Sequence, residues 1–324
     1  MSVLVCGGAG YIGSHMVRRL QAAGFEPVVL DNLSTGHRQA VAGCELVVGD
    51  LLDTIGLEQL FAEHKFESVL HFCAKSLVGE SMHEPYAYYH NNVAGTLNLL
   101  AVMRSHGTGR LIFSSTAAVY GMPVSETIDE NHPCEPINPY GRSKLMVEQI
   151  LRDAARAHGL RSVCLRYFNA AGASDDAWIG EAHEPETHLI PNVLRATEKG
   201  AAPLSVFGND YPTRDGTCVR DYVHVDDLAD AHLAALGYLE SNAGAHVFNL
   251  GNGDGFSVLE VLESAREVTG RDIPYVVAPR REGDPTTLVA SSAKAREHLG
   301  WTPSRTSMQQ IIGSAWRWHQ AKRF

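Results

Sequence analysis

The feature that most constrains this chain lies at its start. Val3-Leu4-Val5-Cys6 is a short apolar run, followed at once by Gly7-Gly8-Ala9-Gly10-Tyr11-Ile12-Gly13-Ser14-His15. Glycines recur at every third position (Gly7, Gly10, Gly13), and the apolar spacing then turns helical through Met16, Val17, Leu20 and Ala23. A buried strand, a glycine turn and a helix start form the opening of a dinucleotide-binding βαβ unit; a buried glycine-rich loop is the plainer alternative. Gly7 permits the tight turn, Gly10 lets the backbone approach a pyrophosphate, and Gly13 lets the helix pack close to the sheet. The first helical N–H groups lack intrahelical partners and carry partial positive charge, which suits phosphate. The next apolar run, Pro27-Val28-Val29-Leu30, ends in Asp31. A carboxylate at that distance meets the adenosine ribose hydroxyls and repels a 2′-phosphate, so NAD rather than NADP is expected.

Strands are expected at Val3–Cys6, Val28–Leu30, Leu46–Val48, Val69–Phe72, Leu111–Ser114 and Val163–Arg166, with helices such as Leu57–His64, Val93–Arg104 and Ser143–Ala157 between them. This alternation predicts an α/β fold, a Rossmann-type doubly wound parallel sheet. After Asn169-Ala170-Ala171-Gly172 the texture changes. Ala173 to Thr187, rich in Gly, Pro and acids, reads as a loop that orders on a ligand. Shorter elements follow at Leu204–Phe207, Val225–Leu239, Val247–Leu250 and Val258–Val268, and a helix runs from Met308 to His319. We expect a dinucleotide-binding domain over 1–170 and a smaller substrate domain over 171–324, with some segments of the second packing on the first.

Composition excludes several classes. The 324 residues carry a formal charge of −10 without a basic cluster, so non-specific nucleic-acid binding is not expected. No run of about 18 apolar residues exists to span a membrane, and the immediate entry into a strand leaves no room for a signal peptide. Six scattered cysteines without a Cys-x-x-Cys point to a reduced, cytoplasmic setting. The sixteen histidines, read as mostly surface or helix residues, show no His-Glu-x-x-His or other metal spacing, so no metal is expected.

The residues that carry chemistry are Tyr140-Gly141-Arg142-Ser143-Lys144. Tyr and Lys four apart share one face of a helix. A phenol with pKa near ~10 is a poor base at neutral pH, and a nearby ammonium together with a positive nicotinamide ring favours its ionised form. An amphipathic surface pair is the plainer reading of the spacing alone. Upstream, Ile112-Phe113-Ser114-Ser115-Thr116 delivers hydroxyls to the carboxyl edge of the sheet, where ligands bind in open α/β folds. Thr116 is placed to hydrogen-bond the same substrate hydroxyl as Tyr140.

In these residues the chain resembles the extended short-chain dehydrogenase/reductases over essentially its whole length. The resemblance runs through His71-Phe72 with Val78-Gly79-Glu80-Ser81, and Asn91-Asn92-Val93 with Gly95-Thr96. It continues in Leu165-Arg166-Tyr167-Phe168-Asn169, Phe207 through Thr213, Gly216 through Ala229, and Pro279 through Asp284. It implies a redox-neutral, reversible inversion at carbon 4 of UDP-glucose and UDP-galactose, with tightly bound NAD as hydride carrier, and a homodimer. Tyr140 would take the 4-hydroxyl proton, Thr116 would position and shuttle it, and Lys144 would hold the nicotinamide ribose. Asp31 and Asn32 would meet the adenine ribose, and Asp50 and Leu51 the adenine. Tyr11, Ile12, Phe72, Asn91, Ser114 and Tyr167 would line the rest of the cofactor.

For the UDP-sugar, the resemblance assigns Asn169, Arg220 and Arg281 to the diphosphate, Asp284 to the uridine ribose, and Leu189 and Phe207 to the uracil. Two arginines suit phosphate by charge and fork geometry. Core packing is the plainer role for Phe207, and an ion pair with Asp221 for Arg220. Leu288 falls at a gate where some relatives carry a tyrosine that blocks 2-acetamido sugars, so N-acetylated substrates are expected to enter unless Leu288 is simply core. Two positions depart from the family pattern. Ser76 stands where some relatives have lysine, with Lys75 one residue earlier, and His188 replaces a familiar asparagine at a substrate contact. Dehydratases of the family place an Asp-Glu pair after the active-site threonine, and here Ala117-Ala118 follow. A non-catalytic NAD-sensing protein would tend to lose the Tyr/Lys pair, which this chain keeps.

Overall fold

Val3 and Val5 face one side of a central sheet and Leu4 and Cys6 the other, and all four are fully buried, as a strand covered by helices on both faces requires. In this computed structural model, which describes residues 2–281 and 283–324, they belong to β1 (Ser2–Cys6). The chain continues through α1 (Tyr11–Ala22), β2 (Glu26–Asp31), β3 (Glu45–Val48), α2 (Thr54–Glu63), β4 (Ser68–His71), α3 (Val78–His83), α4 (Pro85–Tyr89), α5 (Gly95–Ser105), β5 (Arg110–Thr116), α6 (Pro139–His158) and β6 (Arg161–Tyr167). Next come β7 (Asn169–Ala171), α7 (Leu189–Arg195), β8 (Leu204–Phe207), β9 (Val219–Arg220), β10 (Tyr222–His224), α8 (Val225–Ser241) and β11 (Ala245–Leu250). The chain closes through β12 (Phe256–Ser257), α9 (Val258–Thr269), β13 (Tyr275–Ala278), β14 (Thr287–Leu288), α10 (Ala293–Leu299) and α11 (Met308–Gln320).

Seven parallel strands form one sheet in the order β3-β2-β1-β4-β5-β6-β11. Strand order reverses between β1 and β4, which opens a crevice at their carboxyl ends. The seventh strand comes from the C-terminal half. Leu228, Ala231, Ala235 and Leu236 of α8 share a core with Met16, Val17 and Leu20 of α1, so part of the chain beyond residue 170 belongs to the sheet layer. A separate core gathers Ile190, Val193, Val206, Val261, Leu262, Ile311 and Ile312, beside three small sheets of two or three strands.

The expected strands and long helices are present, with informative differences. α6 starts at Pro139, not Ser143, because Asn138 Oδ1 accepts the Gly141 N–H at 2.8 Å and proline suits the first turn. A π-helical turn, His90–Ala94, precedes α5. Helices α3, α4, α7 and α10, of five to seven residues, are too short to show a period. Five of the histidines read as mostly surface or helical are buried: His15, His71, His132, His224 and His232. His71, inside β4, is held neutral, its pKa pushed down to about 3 by burial and then by the Lys144 charge. All six cysteines are free. Among the described residues no helix is long and apolar enough to cross a membrane.

Candidate active site

The glycine turn separates what the fold demands from what a ligand demands. Gly7 has φ +77°, and a Cβ there would lie 2.8 Å from the Cys73 backbone nitrogen; at Gly13 it would lie 2.2 Å from the Gly7 carbonyl oxygen. Packing therefore requires glycine at both. At Gly10 a Cβ would meet only the Gly7 oxygen at 3.5 Å, an ordinary contact. Glycine at this position leaves a cradle over the start of α1, whose N-cap is Gly10 itself, without a side-chain cap or an acid in the first turn. The Tyr11 and Ile12 N–H groups open into that cradle as an anion site.

Beside the turn, Asp31 ends β2 buried, its two oxygens accepting the Ala9 N–H at 2.9 Å and the Leu33 N–H at 2.8 Å. Asn32 Nδ2 donates to Asp50 Oδ2 at 2.7 Å, and the Leu51 carbonyl accepts from Asn98 at 3.0 Å. The residues assigned to the adenosine thus meet at the adjacent ends of β2 and β3. These features fit a dinucleotide: a glycine cradle, unpaired helix N–H groups and a carboxylate fixed beside them.

At the other end of the crevice, β5 and α6 bring the reactive groups together. Burial pushes the Tyr140 phenol above its ordinary range, and a hydrogen bond from Thr116 pulls it partly back. Thr116 Oγ also accepts the Ala118 N–H at 3.1 Å, which orients the hydroxyl. Lys144, one turn along, is buried; its Nζ donates to the Ser114 carbonyl at 2.8 Å and lies 4.7 Å from the Phe113 ring centroid. Burial lowers its pKa to about 8. The ammonium is thus directed at the Ser114 carbonyl, on the strand that also carries Thr116. Ser114 Oγ hydrogen-bonds the Tyr167 hydroxyl, and the Phe72 ring packs on His232 at 4.8 Å.

Sequence reasoning missed the support behind these groups. Glu148 lies one further turn along the Tyr140/Lys144 face, fully buried. It accepts Ser115 Oγ at 2.6 Å and Arg166 through two bonds of 2.9 and 2.5 Å. Arg166 also donates to Tyr120, whose hydroxyl donates to Asn249 on β11 at 2.6 Å. The spacing 140, 144, 148 was the available signal. The Asn91 amide donates to Asn92 at 2.9 Å. Asn92 is the buried anchor, bonding both backbone groups of Lys75 and Ser143 Oγ. Lys75 itself turns to Glu80, 3.5 Å away.

The groups assigned to the UDP-sugar sit on the small sheets. Arg220 on β9 pairs with Asp284, not with its neighbour Asp221. Asp221 is buried and accepts the Asn252, Gly253 and Ala290 N–H groups at 2.8–3.1 Å. The Asn169 amide donates to the Asp221 carbonyl at 2.9 Å. The Arg281 guanidinium stacks 4.0 Å over the Phe207 ring, which makes Phe207 a platform rather than core. Leu288, on β14 beside β9, packs with Ala117, Val119 and Tyr120 just beyond Thr116. Leu189 opens α7 against the second core. His188, at the N-cap of α7 just before Leu189, hydrogen-bonds Glu181 through Nδ1.

Comparison with known proteins agrees with this arrangement. The profile of the NAD dependent epimerase/dehydratase family matches residues 3–251. The UDP-glucose 4-epimerase of Streptococcus mutans serotype c is 53% identical over 324 residues, covering 99% of this chain and 97% of that one. The crystal structure of UDP-glucose 4-epimerase from Brucella ovis in complex with NAD superposes with a TM-score of 0.95 at 47% identity, covering 97% of both chains. The UDP-Glc/GlcNAc 4-epimerase from Campylobacter jejuni superposes with a TM-score of 0.87 at 43% identity, covering 99% of both. The chain belongs to the NAD dependent epimerase/dehydratase family, among the UDP-glucose 4-epimerases.

Proposed function

We propose that this site interconverts UDP-glucose and UDP-galactose by inverting sugar carbon 4. The observation that carries the reading is the convergence of Thr116, Tyr140 and Lys144 at the carboxyl end of β5, in the same sheet as the strand that precedes the glycine turn. NAD, when bound, supplies a reversible hydride store beside carbon 4. Tyr140, as the phenolate, accepts the 4-hydroxyl proton while carbon 4 becomes a ketone, and Thr116 holds that oxygen and relays the proton. Lys144 holds the nicotinamide ribose from its fixed position on Ser114. The keto sugar turns over about its link to the diphosphate, which Asn169, Arg220 and Arg281 retain. Once carbon 4 has regained its hydride on the opposite face, Tyr140 returns the proton to the 4-oxygen. Asp284 takes the uridine ribose, and Leu189 and Phe207 the uracil.

Ala117-Ala118 after Thr116 leaves elimination chemistry without its acid–base pair. Purified protein given UDP-galactose, without added NAD, should yield UDP-glucose; a deoxy-keto sugar or no turnover would overturn the reading. Leucine at position 288 further supports admission of UDP-N-acetylhexosamines. For assembly, Val78, Met82, Tyr86, Leu97 and Met146 leave apolar side chains exposed on neighbouring helices α3 to α6, Tyr86 at 88%. A second copy of the chain is the occupant this face suits. Six free cysteines are in keeping with a reduced cytoplasm.

A further inference from the structure

The loop between β7 and α7 gathers four metal-ligating side chains that the reaction does not use. Glu181, His183, Glu186 and His188 each offer one ligand atom, and these atoms all lie within 4.8 Å of one another. His183 Nδ1 stands 3.1 Å from Glu181 Oε1, and His188 Nδ1 hydrogen-bonds the same oxygen. Glu186 Oε1 lies 3.8 Å from His188 Nδ1. The two carboxylate side chains are only 5% and 1% exposed. Two imidazoles aiming the same ring nitrogen at one buried carboxylate must each hold a proton there to donate. A dication would instead take both nitrogen lone pairs and be neutralised by the two carboxylates.

The frame around these ligands is already rigid. Trp318 Nε1 donates to the Glu181 carbonyl at 2.9 Å, and its ring lies so close to Gly180 that a Cβ there would fall 2.5 Å away. His37 Nε2 bonds the Ala182 carbonyl at 2.9 Å, and Glu186 Oε1 accepts the Thr187 and His188 N–H groups at 2.8 and 2.9 Å. The Tyr11 ring meets His183 edge-on, its hydroxyl given to the Gly172 carbonyl at 2.6 Å and so not a ligand. The pattern Glu-x-His-x-x-Glu-x-His lies on a loop, which is why a search for helical metal spacings passes over it.

We propose that Glu181, His183, Glu186 and His188 form a divalent transition-metal site, zinc being the ion that the two-nitrogen, two-oxygen set fits best. Zinc holds such ligands at about 2.0–2.2 Å in a tetrahedron, which sets them roughly 3.3 Å apart; the separations of 3.1 and 3.8 Å lie near that value, the His188–Glu181 pair is closer, and all four ligand atoms fall within 4.8 Å. Four protein ligands close the coordination sphere, so the ion is structural. It staples the loop that leads from the sheet to the second core against the N-terminal turn of α1.

The test uses the full-length protein, stripped with a chelator, dialysed and titrated with zinc chloride by calorimetry. One zinc per chain is expected, with a raised Tm, and binding weakened at least about tenfold in His183→Ala and in Glu186→Gln. His298→Ala, at an exposed histidine elsewhere, should leave binding unchanged. Absence of saturable binding, or variants that bind like the parent, would overturn the proposal. Cobalt substitution of the parent protein covers the case in which the variants misfold. Intense visible bands of a four-coordinate site are expected, and the weak bands of a six-coordinate aquo ion would count against it.

Discussion

Among the residues assigned to the cofactor, Asp31 and Ser114 stand on long parallel strands, and buried hydrogen bonds fix them there. On the substrate side, Arg220 and Leu288 ride on strands of two residues. Arg220 is held by Asp284 and Arg281 by the face of Phe207, so each of these groups is satisfied by another that is also assigned to the ligand. The first arrangement suits a partner that stays through many turnovers, since its geometry costs nothing to re-form. The second suits a partner that arrives and leaves, because its groups ride on short strands and are held mainly by one another. One crevice thus pairs a preorganised wall with an exchangeable one.

Five substitutions, one of them with a second-site rescue, break or sharpen that contrast. The largest effect belongs to Tyr140→Phe, which removes the proton acceptor from the fixed wall. Turnover should fall by about 10²–10⁴-fold, with thermal unfolding and NAD content unchanged in the same preparations. Arg166→Met comes next. It strands the buried Glu148 carboxylate, and denaturant unfolding should show a loss of about 3–5 kcal/mol, partly restored by adding Glu148→Gln. The glycine turn then divides fold from ligand. Gly13→Ala drives a Cβ into the Gly7 carbonyl and should cost about 1–3 kcal/mol. Gly10→Ala should keep the Tm of cofactor-stripped protein but weaken NAD binding by about tenfold or more in a direct titration. Equal Tm losses in the two variants would remove the distinction. The smallest effect, on the exchangeable wall, is Leu288→Tyr. Turnover of UDP-N-acetylglucosamine should drop about tenfold while that of UDP-glucose holds, a clash built against one ligand. If the parent protein does not turn over the acetamido sugar at high enzyme concentration, Leu288 is not a gate.

Legibility in the sequence follows the same division. The sheet layer could be read because buried parallel strands are continuous apolar runs and the helices between them are long enough to show a period. The glycine turn, Asp31 and the Tyr140/Lys144 pair were visible because each depends on a short local spacing. What escaped was non-local. The partner of Arg220 is Asp284, sixty-four positions away and not the adjacent Asp221, and the anchor behind Tyr140 joins Glu148, Arg166, Tyr120 and Asn249 from four different segments. The buried anchoring by Asn92 follows from a π-helical turn, a departure from the 3.6-residue period that no pattern count anticipates.

The seventh strand also bears on how the molecule is made. β11 joins the sheet only at Ala245–Leu250, where it pairs with β6 from Ser162 to Tyr167. When synthesis has passed β6, the growing chain carries six strands' worth of the sheet with an unprotected apolar edge. The strand that covers that edge is still about eighty residues away, roughly 4–16 s at ordinary elongation rates. An open edge of this kind is a template for pairing with another chain. Truncation near residue 170, at the seam between the two halves, would make that exposure permanent.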